Sequence, residues 1–226
     1  MTDQIDPFLI PLYESYNKNP IIKSLIQALN LSGIPIGPVI DSFVTTRVNN
    51  IKANRLKCFF DELNSGETQL TEENIDQNDF LHAYFSTINF VIRTRSDDKI
   101  RNFAKILKKL ETGNIDINEF EDFTAIFNEL SEREFAILAI KSQFEQKYQG
   151  KNPEMNPYQL TASYWNDFKN EVCSKTGLRE EDLDPMLVRI QRTGCYNKFI
   201  GYLEDGPNQR GDTTEIFKRI KVLIDQ

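Results

Sequence analysis

The run Asp184-Pro185-Met186-Leu187-Val188-Arg189-Ile190-Gln191-Arg192-Thr193-Gly194-Cys195-Tyr196-Asn197-Lys198-Phe199-Ile200-Gly201-Tyr202-Leu203 decides how this chain is read. Its first half has helical spacing, with Met186, Leu187 and Ile190 on one side, and Gly194 stops it. Asp184 before Pro185 has the pattern of an N-cap followed by the first helical residue, where proline loses no hydrogen bond. From Tyr196 the run is aromatic and β-branched, which predicts a strand to Leu203. Residues 204–211, with Gly206, Pro207 and Gly211, form a turn-rich tip. Asp212-Thr213-Thr214 then leads into a last helix carrying Ile216, Phe217, Ile220 and Leu223.

Reading back from this run, Tyr164, Trp165, Phe168 and Val172 share one face of a helix that closes near Gly177. Before it, Ser131-Glu132-Arg133-Glu134 has the Ser-x-x-Glu signature of a capping box. It opens a helix with Phe135, Leu138, Ala139, Ser142 and Phe144. Three helices, a hairpin and a helix, in that order over residues 131–226, predict a winged-helix-like module. In that reading Asp184–Thr193 is the reading helix, with Arg189, Gln191 and Arg192 outward, and Lys198 and Arg210 lie on or near the wing. These residue types can contact base edges or phosphates.

Residues 1–130 read as a helical bundle, so the fold class expected is mainly α. Apolar stripes at helical spacing run through Ile21–Leu29, Ile40–Leu63, Phe80–Ile92, Ile100–Leu110 and Ile117–Leu130. Their phenylalanines read as core packing. Charge comes in blocks: seven acids and no base between Asp61 and Asp79, then seven bases against Asp97 and Asp98 between Arg93 and Lys109. Eight acids against Arg133 follow from Glu111 to Glu134. A basic helix between acidic neighbours predicts compensation inside the bundle; docking on phosphate or an acidic membrane surface is the alternative.

The 226 residues carry a formal charge of -7, from 27 Lys+Arg against 34 Asp+Glu. That balance excludes indiscriminate coating of nucleic acid, which needs an excess of cations to neutralise phosphates. It leaves a local basic face open, because Pro185–Gln226 holds seven bases and five acids. Glu180, Glu181, Asp182 and Asp184 crowd the start of the reading helix, where they suit its dipole but repel phosphate.

The single histidine, His82, lies between Leu81 and Ala83 in an apolar helix and reads as structural, which removes most triad and metal chemistry. No nucleotide-binding glycine loop, zinc-protease pair or nucleophile elbow occurs. Gly113 and Glu119 mimic half a calcium loop, but Lys108 and Leu110 stand where carboxylates are needed. No catalytic residue, metal ligand or cofactor is therefore expected, and the chain reads as a non-enzyme. Cys58, Cys173 and Cys195 are widely spaced and odd in number, which predicts a reduced, cytoplasmic setting. The N-terminus lacks the basic start of a signal peptide, and no run is apolar for 18 residues.

Four stretches carry a family resemblance. Asp98-Lys99-Ile100-Arg101-Asn102-Phe103-Ala104-Lys105-Ile106-Leu107 is followed by Phe123-Thr124-Ala125-Ile126-Phe127-Asn128-Glu129-Leu130-Ser131, then Ile137-Leu138, and later Leu187-Val188-Arg189-Ile190-Gln191-Arg192-Thr193-Gly194. Over about the last 130 residues the chain resembles bacterial proteins of the abortive-infection alpha kind and related helical proteins, through spacing and common residue types. The resemblance implies a bacterial cytosolic protein linked to phage defence, with a winged-helix-like end, and supplies no catalytic residues.

Three functional readings follow. The first is a binding or regulatory protein acting through a protein partner, with self-association into a homo-oligomer open. The second is sequence-specific DNA binding through Arg189, Gln191, Arg192, Lys198 and Arg210. The third is a membrane-acting effector using the Gly- and Pro-rich apolar stretch Gly33–Val44, which is too short to span a bilayer.

Overall fold

A computed structural model of the chain describes residues 5–32, 43–65, 70–71, 75, 77–199 and 209–225. The stretch read as a membrane segment and the tip of the hairpin lie outside the described residues, apart from Phe43 and Val44, which open a helix, and Gln209 to Gly211. Among the described residues there are ten helices and one two-stranded antiparallel sheet, so the chain is mainly α. It forms two compact units, Met1–Thr124 and Ala125–Gln226.

The first unit contains α1 (Ile10–Ser15), α2 (Pro20–Leu31), α3 (Phe43–Leu63), α4 (Asn78–Val91), α5 (Asp97–Glu111) and most of α6 (Ile117–Glu129). Asn19 starts α2 by accepting hydrogen bonds from Ile21 N and Ile22 N at 3.1 Å, and Pro20 occupies the first turn at no cost in donors. Ser96 caps α5 in the same way. Glu119, one of the two residues that suggested half a calcium loop, and Asp116 bond each other's backbone N–H at the start of α6, so Glu119 serves a reciprocal cap. Phe59, Phe60 and Tyr84 form the aromatic centre, and the Tyr84 hydroxyl donates to the Leu25 carbonyl at 2.9 Å, tying α4 to α2.

The basic helix α5 packs on α3. Lys108 donates to the Ser65 carbonyl and lies in the field of Glu62 and Glu111, and Arg101 pairs with Asp98 at 2.9 Å. Glu62 and Glu111 belong to the two flanking acidic blocks, whereas Asp98 lies on α5 itself. Arg93 and Arg95 are exposed in the turn before α5.

The second unit is built from the end of α6, α7 (Glu132–Gln149), α8 (Pro157–Thr176), α9 (Glu180–Arg192), β1 (Tyr196–Lys198), β2 (Gly211–Thr213) and α10 (Glu215–Asp225). Both long helices open with capping boxes, Ser131 with Glu134 and Asn156 with Gln159. Gly177 ends α8 with φ of 66°, in the left-handed region that glycine enters without strain. Ile137, Leu138, Tyr164, Phe168, Leu187, Ile190 and Phe217 fill one continuous core. Each fully buried aliphatic or phenyl group there contributes about 1.5–3 kcal/mol.

Two local expectations need correction. The helix read as starting at Pro185 begins at Glu180, with Pro185 inside it. Leu183 is 1% exposed, and three acids in the first turn suit the positive end of the helix; these gains offset the one backbone bond that Pro185 removes. The first strand covers Tyr196–Lys198, with residues 200–203 of the predicted strand outside the described residues; its partner falls on Gly211–Thr213, which the sequence assigns to the tip and the helix lead-in and of which Gly211 and Asp212 have low strand preference. That partner strand is chosen by pairing and not by propensity.

The sheet pairs Tyr196 with Thr213, Asn197 with Asp212 and Lys198 with Gly211. Gly211 sits so close to the facing strand that a Cβ would lie 2.0 Å from the Asn197 carbonyl oxygen. Gly211→Ala is therefore expected to lower stability by about 2–3 kcal/mol, measured by urea unfolding, and to reduce the dispersion of the hairpin's amide resonances.

Candidate functional site

On α9, apolar residues at helical spacing place Leu183, Leu187 and Ile190 in the core and turn the opposite side to solvent. The outward residues are Glu181, Pro185, Val188, Arg189, Gln191 and Arg192. Val188 is 39% exposed, a β-branched apolar group in the middle of that face. Arg189 does not project freely. Its Nε lies 2.9 Å from Oε1 of Glu134, a carboxylate 1% exposed, in a charge contact that is not aligned as a hydrogen bond. Glu134 Oε2 accepts from the Ser131 N–H at 2.8 Å, so the capping carboxylate of α7 and the guanidinium of α9 form one local structure.

The other basic residues near α9 are also engaged. Arg179 pairs with Glu181 and Asp182 at 2.8 and 2.9 Å, and Lys169 pairs with Glu180. Lys198 is half-buried and lies in the field of Asp184, whose carboxyl burial pushes above its usual range. Arg210 is half-buried at the start of β2, where its carbonyl accepts from Phe199 N at 2.9 Å. Gln191 and Arg192 are exposed, and neither side chain has a hydrogen-bond or ion-pair partner among the described residues. Of the five residues singled out by sequence, two thus remain open on the α9 face, one is held by a buried acid, and two belong to the hairpin.

A second polar cluster joins the hairpin to the helices. Lys141 on α7 has a fully buried side chain; its Nζ donates to Glu145 Oε1 at 2.8 Å and to the Tyr164 hydroxyl at 2.6 Å. The same ammonium lies 4.9 Å from the Tyr164 ring centroid and 6.0 Å from that of Phe168. Glu145 accepts from the Thr213 N–H at 2.8 Å and from the Thr213 hydroxyl. Ladder bonds run from Thr214 N to Cys195 O and from Phe199 N to Arg210 O. By the alternation of an antiparallel pair, the Thr213 N–H between them faces away from β1. Glu145 therefore satisfies a donor on the outer edge of β2, where a third strand would otherwise be needed.

Burial draws the Lys141 ammonium below the ordinary lysine range, against the pull of Glu145. Burial pushes the Asp212 carboxyl above its usual range, and Glu145 adds to the push, while Lys141 and Lys218 oppose it. Lys141, Tyr164 and Thr213 are buried, and Glu145 is 15% exposed. Its geometry supports the hairpin.

His82, expected inside an apolar helix, is exposed on α4, with its Nε2 3.3 Å from Glu121. The helix is apolar on one side only, and position 82 falls on the other. In the first unit a cleft of about 610 Å³ is lined by Tyr16, Asn19, Leu63, Asn64 and Leu70 among others. Its polar groups bond one another: Tyr16 donates to Asp61 at 2.7 Å, and Asn19 to Asn64 at 2.7 Å. Among the described residues no group of three or more His, Cys, Asp and Glu side chains could hold a metal ion, and no helix is long and apolar enough to cross a membrane.

The outer stripe of α9 and the Lys141–Glu145 cluster were not singled out from sequence. The stripe is legible once the start of the helix is moved to Glu180. The cluster is not, because it joins positions 141, 145, 164 and 213.

Two measurements test the cluster. Glu145→Ala strands the buried Lys141 charge and frees the edge of β2, so it is expected to cost about 3 kcal/mol in urea unfolding. Lys141→Met with Glu145→Gln restores most of that loss, because no unpaired charge remains. The second test is pH-dependent. Asp212 binds its proton more tightly folded than unfolded, so its contribution to stability is present below the ordinary carboxylate range and is lost as pH rises through the raised folded value. Asp212→Asn is expected to raise the melting temperature by about 2 °C at pH 7 and to leave it unchanged near pH 3.

No family model, curated protein or solved structure matches the chain, so the α9 face and the hairpin cluster are read from their own chemistry.

Proposed function

We propose that this chain is a non-enzymatic binding protein that acts through protein–protein contacts, and that the outer face of α9 is its contact surface. The observation that carries this reading is the engagement of Arg189 by the buried Glu134 carboxylate. It takes away the central cation of a DNA-reading helix and leaves a mixed face of Glu181, Pro185, Val188, Gln191 and Arg192. A reading helix needs several free donors aimed at base edges and phosphates, whereas a face of one acid, one base and two apolar groups suits another protein.

The order α7, α8, α9, β1, β2, α10 supports naming this unit a winged-helix-like module, used here as an interaction domain. All three cysteines are free thiols, which supports a reducing, cytoplasmic setting. The resemblance of the last 130 or so residues to abortive-infection proteins points to a role in bacterial phage defence. DNA binding is the second reading, favoured by the open Gln191 and Arg192.

Replacing Val188 with the photo-crosslinking residue p-benzoylphenylalanine is expected to give a protein adduct in the producing cell. The same residue at exposed Ser174 on α8 gives none. A mobility shift on genomic fragments at about 50 mM salt, lost on Arg192→Ala, would instead establish DNA reading and overturn the proposal.

A further inference from the structure

We infer that the partner seated on the outer face of α9 is a second copy of this chain, packed antiparallel about a two-fold axis; the inference rests on that face being a protein contact surface. At about 100° per residue, Glu181, Pro185, Val188 and Arg192 lie within an arc of roughly 60°. They form one stripe along α9, and all four are exposed. The stripe is acidic at its N-terminal end, apolar in the middle and basic at its C-terminal end.

That order is self-complementary. Two copies of a helix related by a two-fold axis run antiparallel, so a residue near the start of one meets a residue near the end of the other. Placing the axis level with Met186 and Leu187 sets Glu181 of one copy opposite Arg192 of the other, about 16 Å apart along each helix. The same register sets Pro185 against Val188 twice at the centre. One register therefore satisfies the charged ends and the apolar middle together, and the two helix dipoles oppose each other favourably.

Within one copy these groups have weak calls on them. Glu181 pairs with Arg179, but both side chains are more than two-thirds exposed, so solvent screens the pair. Arg192 has no ion pair among the described residues. A parallel arrangement would set Glu181 against Glu181 and Arg192 against Arg192, which is repulsive at both ends. A face of one helix is small, and the dimer is accordingly a weak, reversible one.

Sedimentation equilibrium of the full chain from about 1 to 500 µM tests this. A reversible monomer–dimer equilibrium is expected within that range. Arg192→Glu and Glu181→Arg each weaken it at least about tenfold, and the chain carrying both returns to within about threefold of the original. Mixing the two single variants gives a dimer tighter than either forms alone. Because both positions are exposed, unchanged circular dichroism melts confirm that the variants fold. A monomer throughout the range, or a dimer indifferent to the charge reversals, overturns the inference. A monomer whose Val188 photoadduct contains a different protein overturns self-pairing while leaving the contact surface standing. A DNA shift lost on Arg192→Ala overturns the contact surface itself.

Discussion

The Glu145 carboxylate is the junction on which the second unit depends. One of its oxygens takes the Lys141 ammonium and the Thr213 N–H, and the other takes the Thr213 hydroxyl. Lys141 is enclosed on its other side by Tyr164, whose hydroxyl also contacts Thr161 at 3.2 Å. A lysine with no solvent exposure is tolerable only with a paired carboxylate and acceptors for its protons, and this site supplies both. The result is a hairpin whose position is set by a polar bond network as well as by packing of Tyr196 and Phe217. The Tyr196 hydroxyl adds a further tie, donating to the Gln209 carbonyl at 2.5 Å.

That junction bears on function because the hairpin and α9 are consecutive in the chain. Cys195 follows the end of α9 directly, is buried, and accepts the backbone bond from Thr214. Anchoring β2 to α7 thus fixes the chain just after α9, while the contact between Arg189 and Glu134 holds the last turn of α9 against the start of α7. The proposed contact face is carried on a helix secured at both points. Rigid presentation of this kind lowers the entropy lost when a partner docks, which matters most for a small and weak interface.

Much of the fold was legible in local sequence. The capping box at Ser131 and Glu134, the stop at Gly177 and the apolar stripe of α8 all use contacts within one or two helical turns, and each has the form that sequence spacing predicts. The charge blocks were legible as composition, and Glu62 and Glu111 from the two acidic blocks lie near Lys108. The start of α9 was misread because Asp184-Pro185 satisfies a local rule that tertiary burial of Leu183 overrides. His82 was misplaced because apolar immediate neighbours do not set the direction in which a helical side chain points.

By itself, the sequence determined that the chain is mainly helical, where most of the helices end, and that the second half closes with a hairpin and a helix. Those outcomes follow from periodicity, caps and glycine, which act over a few residues. Only the tertiary structure decided that Gly211–Thr213 is a strand, that Lys141 and Glu145 support it, and that Arg189 contacts a buried acid. Each of these joins side chains from different elements, some close to 70 residues apart, and the energy of such a contact depends on burial and geometry that no local pattern encodes.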